Sequence, residues 1–153
     1  MASERLNVAI LWHQHQPMYR TNPSGDPGGS YLMPWVRLHA VRDYYSMAAI
    51  VSEFPHVHVT INLVPSLLKQ LDDYLQGGAT DLHMELCRTP TGDLTDEEKA
   101  FIVERFFDAN WKNEIRAYPC YARLLDMRIR KKRFTDQDIT DLKAWFNIAW
   151  FPP

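Results

Sequence analysis

The chain has 153 residues, 46% hydrophobic and 24% charged, and its 17 Lys and Arg against 19 Asp and Glu leave a formal net charge of −2. This composition excludes a disordered chain and supplies no overall positive excess to attract nucleic acid. No apolar run approaches the roughly 20 residues that span a bilayer, the N-terminus lacks the pattern of a signal peptide, and two cysteines, Cys87 and Cys120, are too few for a disulfide framework, so a reduced, cytoplasmic, membrane-free setting is expected.

The first predicted element is a strand over about 6–12, where LNVAILW is nearly continuously apolar, as suits a strand covered on both faces. Polar His13-Gln14-His15-Gln16 comes next, and Pro17 cannot continue a ladder. Residues 21–30 hold three Gly and two Pro and read as a long loop, a length that favours a functional role. Pro34 suits the first turn of a helix that runs to about Glu53, with Val41, Tyr44, Tyr45, Ala48 and Val51 on one face. Residues 57–63 alternate cleanly and predict a second strand.

A helical region over about 66–150 completes the chain. Leu67, Leu68, Leu71, Tyr74 and Leu75 form the apolar face of its first helix, which Gly77-Gly78 closes. Thr95 and Glu98 have capping-box spacing, and Phe101, Ile102, Phe106 and Ala109 succeed them at helical period. A shorter helix is expected after Pro119, through Tyr121, Leu124, Leu125 and Ile129. Thr135 starts the last, whose face is Ile139, Leu142, Phe146, Ala149 and Trp150. Trp150 and Phe151, just before the closing Pro152-Pro153, read as aromatic residues without an obvious partner.

Strand, helix, strand, helix at these spacings argues for an α/β fold of parallel βαβ units. Two strands close neither a barrel nor an open sheet, and a (β/α) barrel takes about 250 residues and eight strands. The expectation is therefore a truncated chain, 1–153 being the N-terminal segment of a larger domain.

His13 and His15 are one residue apart at the end of the first strand, so both imidazoles point to one face. In a parallel barrel that is the rim on which active sites assemble. Asn62, near the end of the second strand, occupies the equivalent place. Three readings stand open on spacing alone: a metal pair, hydrogen-bond donors to a polar substrate, or two satisfied rim histidines.

The surrounding residues say more. His13-Gln14-His15-Gln16-Pro17 after an apolar strand resembles the first signature of glycoside hydrolase family 57, with its core His-Gln-Pro. The likeness continues through Tyr31-Leu32-Met33-Pro34-Trp35-Val36-Arg37-Leu38-His39-Ala40, Asp43-Tyr44-Tyr45, Ile61-Asn62-Leu63-Val64-Pro65-Ser66-Leu67-Leu68 and Trp145-Phe146-Asn147-Ile148-Ala149-Trp150-Phe151-Pro152. It covers nearly the whole chain in order.

The resemblance implies the N-terminal portion of an incomplete (β/α)7 barrel with an associated helical region, in a retaining enzyme acting on α-glucans or maltooligosaccharides. It implies no metal and no other cofactor. The nucleophile Glu and the acid/base Asp of such an enzyme lie on later strands, so no catalytic residue is assigned among the 19 acids present, and the chain alone is expected to be inactive, with the remainder of the catalytic domain as its partner. Substrate binding falls to His15 with Gln16 and Pro17, with His13 from the same face, Trp35 as a stacking platform and Asn62 lining the pocket. Two alternatives use the same residues: a metal-dependent hydrolase built on the His-x-His pair, and a non-catalytic carbohydrate-binding module. The remaining candidates read as structural: His39 as an interior histidine, Arg128, Arg130, Lys131, Lys132 and Arg133 as a solvated helix end, and Glu114 as an acid with no carboxylate partner at helical or strand spacing.

Overall fold

A computed structural model describes residues 6–20 and 29–151; the predicted loop at 21–30 falls almost wholly on the residues outside that range. The architecture is mixed α/β, with short strands and seven α-helices among the described residues. The chain divides into two compact units, 1–80 and 81–153.

In the first unit β1 (Leu11–Gln14) pairs in parallel with β3 (Thr60–Leu63), in the register Leu11 to Thr60, Trp12 to Ile61, His13 to Asn62 and Gln14 to Leu63. These strands are shorter than the sequence predicts, and β1 lies further along the chain, at 11–14 instead of 6–12. The reason is the ladder. Apolar character does not make a strand without a partner, and pairing starts where the Thr60 N–H donates to the Ile10 carbonyl at 2.9 Å. Residues 6–10 are exposed, as are Leu11, Ile61 and Leu63.

Between these strands run β2 (Ser30–Tyr31), α1 (Trp35–His39), a π turn (Ala40–Tyr44) and α2 (Tyr45–Ser52). Val36 and Leu38 are buried, but Val41 and Tyr45 are exposed, which corrects the predicted apolar face. A π turn closes i→i+5 bonds and inserts an extra residue into the winding. The 3.6-residue phase therefore breaks at 40–44, and the residues beyond it no longer continue the stripe begun at Val36.

α3 (Pro65–Leu75) takes Pro at its first position and ends at Gln76, after which Gly78 adopts φ +65°, the left-handed conformation that glycine reaches without steric cost. Leu67 is fully buried, whereas Leu68 and Leu75 are exposed, so the predicted apolar face is only partly used. Gln70 and Asp73 are buried with Leu67. β4 (Thr80–Asp81) is the short extended stretch at which the first unit ends.

The second unit is helical: α4 (Leu82–Arg88), α5 (Asp96–Arg105), a π turn (Trp111–Ile115), α6 (Pro119–Ile129) and α7 (Asp136–Ala149). Its core contains Ile102, Phe106, Ile115, Tyr121, Leu124, Leu125, Leu142 and Phe146, all fully buried. Side chains of this size contribute roughly 1.5–3 kcal/mol each on burial. Ile139, Leu142, Phe146, Ala149 and Trp150 all face inward as their spacing predicts, so Trp150 is seated in the core and only Phe151 stays exposed.

Both predicted caps form. The Thr95 hydroxyl accepts the Glu98 N–H while the Glu98 carboxylate accepts the Thr95 N–H. At α7 Thr135 and Asp138 do the same, with Arg123 donating to the Asp138 carboxylate at 3.0 Å. The hydrogen bonds from the Thr135 hydroxyl and backbone, aided by Arg123, hold the Asp138 carboxyl below its ordinary pKa despite burial. Thr135→Ala removes the hydroxyl and should cost about 1 kcal/mol, whereas Thr135→Ser should stay near wild type. Urea unfolding of the two variants checks this, and equal midpoints would mean that the cap contributes nothing.

Candidate functional site

The candidate site lies in the first unit, where β1 runs into the loop before Pro17. Side chains alternate along a strand. Gln14 is therefore buried on one side, with its amide Nε2 3.8 Å from the Met47 sulfur on α2. His13 and His15 emerge on the other, their rings stacked with centroids 5.7 Å apart and planes within 11°. His13 is in register with Asn62 on the neighbouring strand, and register partners in a ladder share a face. Three exposed polar side chains, two imidazoles and one carboxamide, thus come together.

Gln16 is placed differently. Its Nε2 donates to the Tyr44 hydroxyl at 3.2 Å and its Oε1 accepts from the Tyr19 hydroxyl at 2.9 Å. Burial, with Tyr44 adding to it, raises the Tyr19 pKa, which keeps that hydroxyl a donor. Gln16 is therefore tied to protein by both ends of its amide. Trp35 opens α1 and is half-buried.

The backbone of this loop is held from α3. The Ser66 hydroxyl donates to the Gln16 carbonyl at 2.8 Å. Gln70, fully buried, accepts the Tyr19 N–H at 3.0 Å and donates at 2.9 Å to the carbonyls of Pro17 and Ser66. One turn further on, Asp73 accepts from the Tyr31 hydroxyl at 2.6 Å, pairs with Lys69, and faces Arg20 Nη1 at 3.8 Å. Burial alone would raise the Asp73 carboxyl. The hydrogen bonds from Lys69 and Tyr31 and the charges of Lys69 and Arg20 outweigh it and hold the group below the usual carboxylate range.

Arg20 and Tyr31 form an antiparallel bridge. A Cβ on Gly29 would fall 2.9 Å from Arg20 Nε, so a larger residue there would require the Arg20 side chain to shift.

Sequence reasoning passed over Ser66, Gln70 and Asp73. The three stand at i, i+4 and i+7, a spacing that places them on one face of α3 beside Leu67 but does not mark that face as buried. His39 is half-buried, bonded to Asp43 through Nδ1, and Asp43 also meets Arg42 Nε at 3.4 Å. Glu114 accepts the Asn110 N–H at 2.8 Å at the start of the second π turn, which gives that acid a capping role. Lys131, in the basic cluster, ends α6 with φ 51° and donates its N–H to the Arg128 carbonyl. Among the described residues no three of the His, Cys, Asp and Glu side chains group as a metal site requires.

The family model for glycosyl hydrolase family 57 matches residues 9–153. The chain belongs to glycosyl hydrolase family 57. Comparison with curated proteins and with solved structures finds no match. The family 57 assignment makes the chemistry glycosidic and the substrate a carbohydrate.

Proposed function

We propose that this chain supplies the first substrate-binding wall of a family 57 catalytic domain acting on α-glucans, by hydrolysis or by glucan transfer. The observation that carries the reading is the stacked pair His13 and His15 beside Asn62 on one exposed strand face. These groups bind and orient sugar hydroxyls, and Trp35 serves as a stacking surface for the apolar face of a pyranose. Gln16 contributes through the shape of the loop, its amide being engaged by Tyr19 and Tyr44.

β1 and β3 are, on this reading, two neighbouring strands of an incomplete (β/α)7 barrel, with the helical second unit as its associated region. The exposure of Leu11, Ile61 and Leu63 supports it, because parallel sheets are almost always covered on both faces. Retention requires a carboxylate nucleophile and a carboxylic acid about 5–5.5 Å apart. We assign both to later strands of the domain. In this chain Asp43 and Asp73 are committed to His39 and Arg42, and to Arg20, Lys69 and Tyr31. Cys87 and Cys120, which form no disulfide, suit a cytoplasmic setting.

Isothermal titration of the chain with maltooligosaccharides tests the reading. His15→Ala should weaken binding about tenfold, as loss of one sugar hydrogen bond of about 1.4 kcal/mol would. Equal affinity in the variant would remove His15 from the site, and robust release of reducing sugar from starch by this chain alone would overturn the placement of the carboxylates.

A further inference from the structure

We propose that Gln70 is a positioning residue for the His13 and His15 pair, acting through the main chain of the loop that succeeds β1; the inference rests on the binding reading above. The loop has a demanding task. It leaves a ladder that ends at Gln14, passes Pro17, and must set the exposed His15 ring, one residue beyond the ladder, parallel to that of His13 within it.

Gln70 meets that need with a fully buried carboxamide whose oxygen takes the Tyr19 N–H and whose nitrogen reaches the Pro17 carbonyl, both about one normal hydrogen-bond length away at 3.0 and 2.9 Å. A carboxamide accepts from an N–H through its oxygen and donates to a C=O through its nitrogen, so one side chain serves both loop groups. Glu would keep the acceptor and set a carboxylate against the Pro17 carbonyl, while Leu would fill the space and leave both loop groups unpaired. Buried main-chain groups without partners are costly, so the loop would shift to find new ones.

Ser66 and Asp73 extend the same clamp to the Gln16 carbonyl and to Arg20, on one face of α3. The helix thus holds residues 16, 17, 19 and 20, and His15 is attached directly to the first of them. Gln70 touches neither histidine ring nor substrate on this account. Its effect reaches them through covalent connection and the Gln16 to Tyr19 backbone.

The test uses the folded chain without ligand first. Imidazole proton–nitrogen spectra of Gln70→Leu and Gln70→Glu should show shifted His13 and His15 signals, with those of His56 and His58, both exposed in the segment between α2 and β3, unmoved as internal controls. The Ser66→Ala variant should shift the same two signals by a smaller amount, and Ser66→Thr should restore them. Maltooligosaccharide titration should then show Gln70→Leu weakened about fivefold, and His15→Ala, about tenfold weaker by itself, losing little more when Gln70→Leu is added to it.

Unmoved His13 and His15 signals in a folded Gln70→Leu variant would overturn the proposal whatever the binding result. Should that variant not fold, the Ser66→Ala and Ser66→Thr pair decides, unmoved signals again being the negative. A wild-type chain that binds no glucan would defeat the binding reading alone and leave the spectra to judge the clamp.

Discussion

Phe146→Ala is expected to destabilise the second unit by about 3–5 kcal/mol, the cost of removing a large aromatic side chain from a packed core. Phe146 sits on α7 with no exposed surface. Its ring lies 4.6 Å from that of Phe106 and 5.6 Å from that of His83. His83 in turn stacks on Phe106 at 5.3 Å and meets Phe101 edge-on at 5.4 Å. The four rings come from α4, α5 and α7 and from the residue that caps α5, so one truncation opens a void touching three helices. Filling it would require several rings to move together, which is why the loss should lie near the upper end for a single truncation. Phe146→Leu keeps most of the volume and should cost less than about 1.5 kcal/mol. Guanidinium unfolding at neutral pH measures both; a loss below about 1 kcal/mol for the alanine variant would mean that the cluster readily repacks.

A second large effect is expected at Asp73. Asp73→Ala leaves Arg20, whose side chain is 7% exposed, facing a site with no carboxylate. Removing one partner from a buried ion pair typically costs about 3–5 kcal/mol, because the remaining charge is left uncompensated. The Tyr31 hydroxyl loses its acceptor in the same step. The pH dependence has a definite sign. The Asp73 carboxyl is held below its unfolded value by Lys69, Tyr31 and Arg20 against the opposing effect of burial. Its contribution is therefore complete above the unfolded carboxylate pKa of about 3.9 and is lost as pH falls through the lower folded value. Thermal melts from about pH 6 downwards should show wild type losing stability in that acid window. In Asp73→Asn that part of the slope should disappear, and parallel profiles for the two proteins would rule out Asp73 as its source.

Much of the helical unit was legible because its determinants are local. Thr95 and Thr135 start helices through bonds to residues three positions on, and the α7 stripe from Ile139 to Trp150 keeps the 3.6-residue period into a buried face. The strand boundaries were less legible, since a strand depends on a partner distant in sequence. Val8 reads as interior strand by composition and is exposed in the structure.

At the candidate site, the His13 and His15 pair could be read from period-two alternation, and Asn62 from its place near the end of its strand. The support beneath them could not. Gln70 bonds to residues more than fifty positions earlier in the chain, and nothing local distinguishes a buried glutamine from a solvated one on an amphipathic helix. Gln16 shows the converse: its position beside the histidines suggested a sugar contact, and its amide is engaged by Tyr19 and Tyr44, two tyrosines whose approach only the folded chain reveals.

The π turn at Ala40–Tyr44 acts on this arrangement as a phase setting. An α-helix advances each residue by about 100°, so deletion of a single residue within that turn would restore ordinary winding and rotate all of α2 by roughly that angle. Tyr44 and Met47, which reach Gln16 and Gln14 across the back of β1, would both swing away while the helix itself remained intact. A length change of one residue here would thus leave the segment helical and still disconnect α2 from the strand that carries His13. Spacing between Trp35 and Tyr45 is consequently under a tighter constraint than the identity of most residues within it.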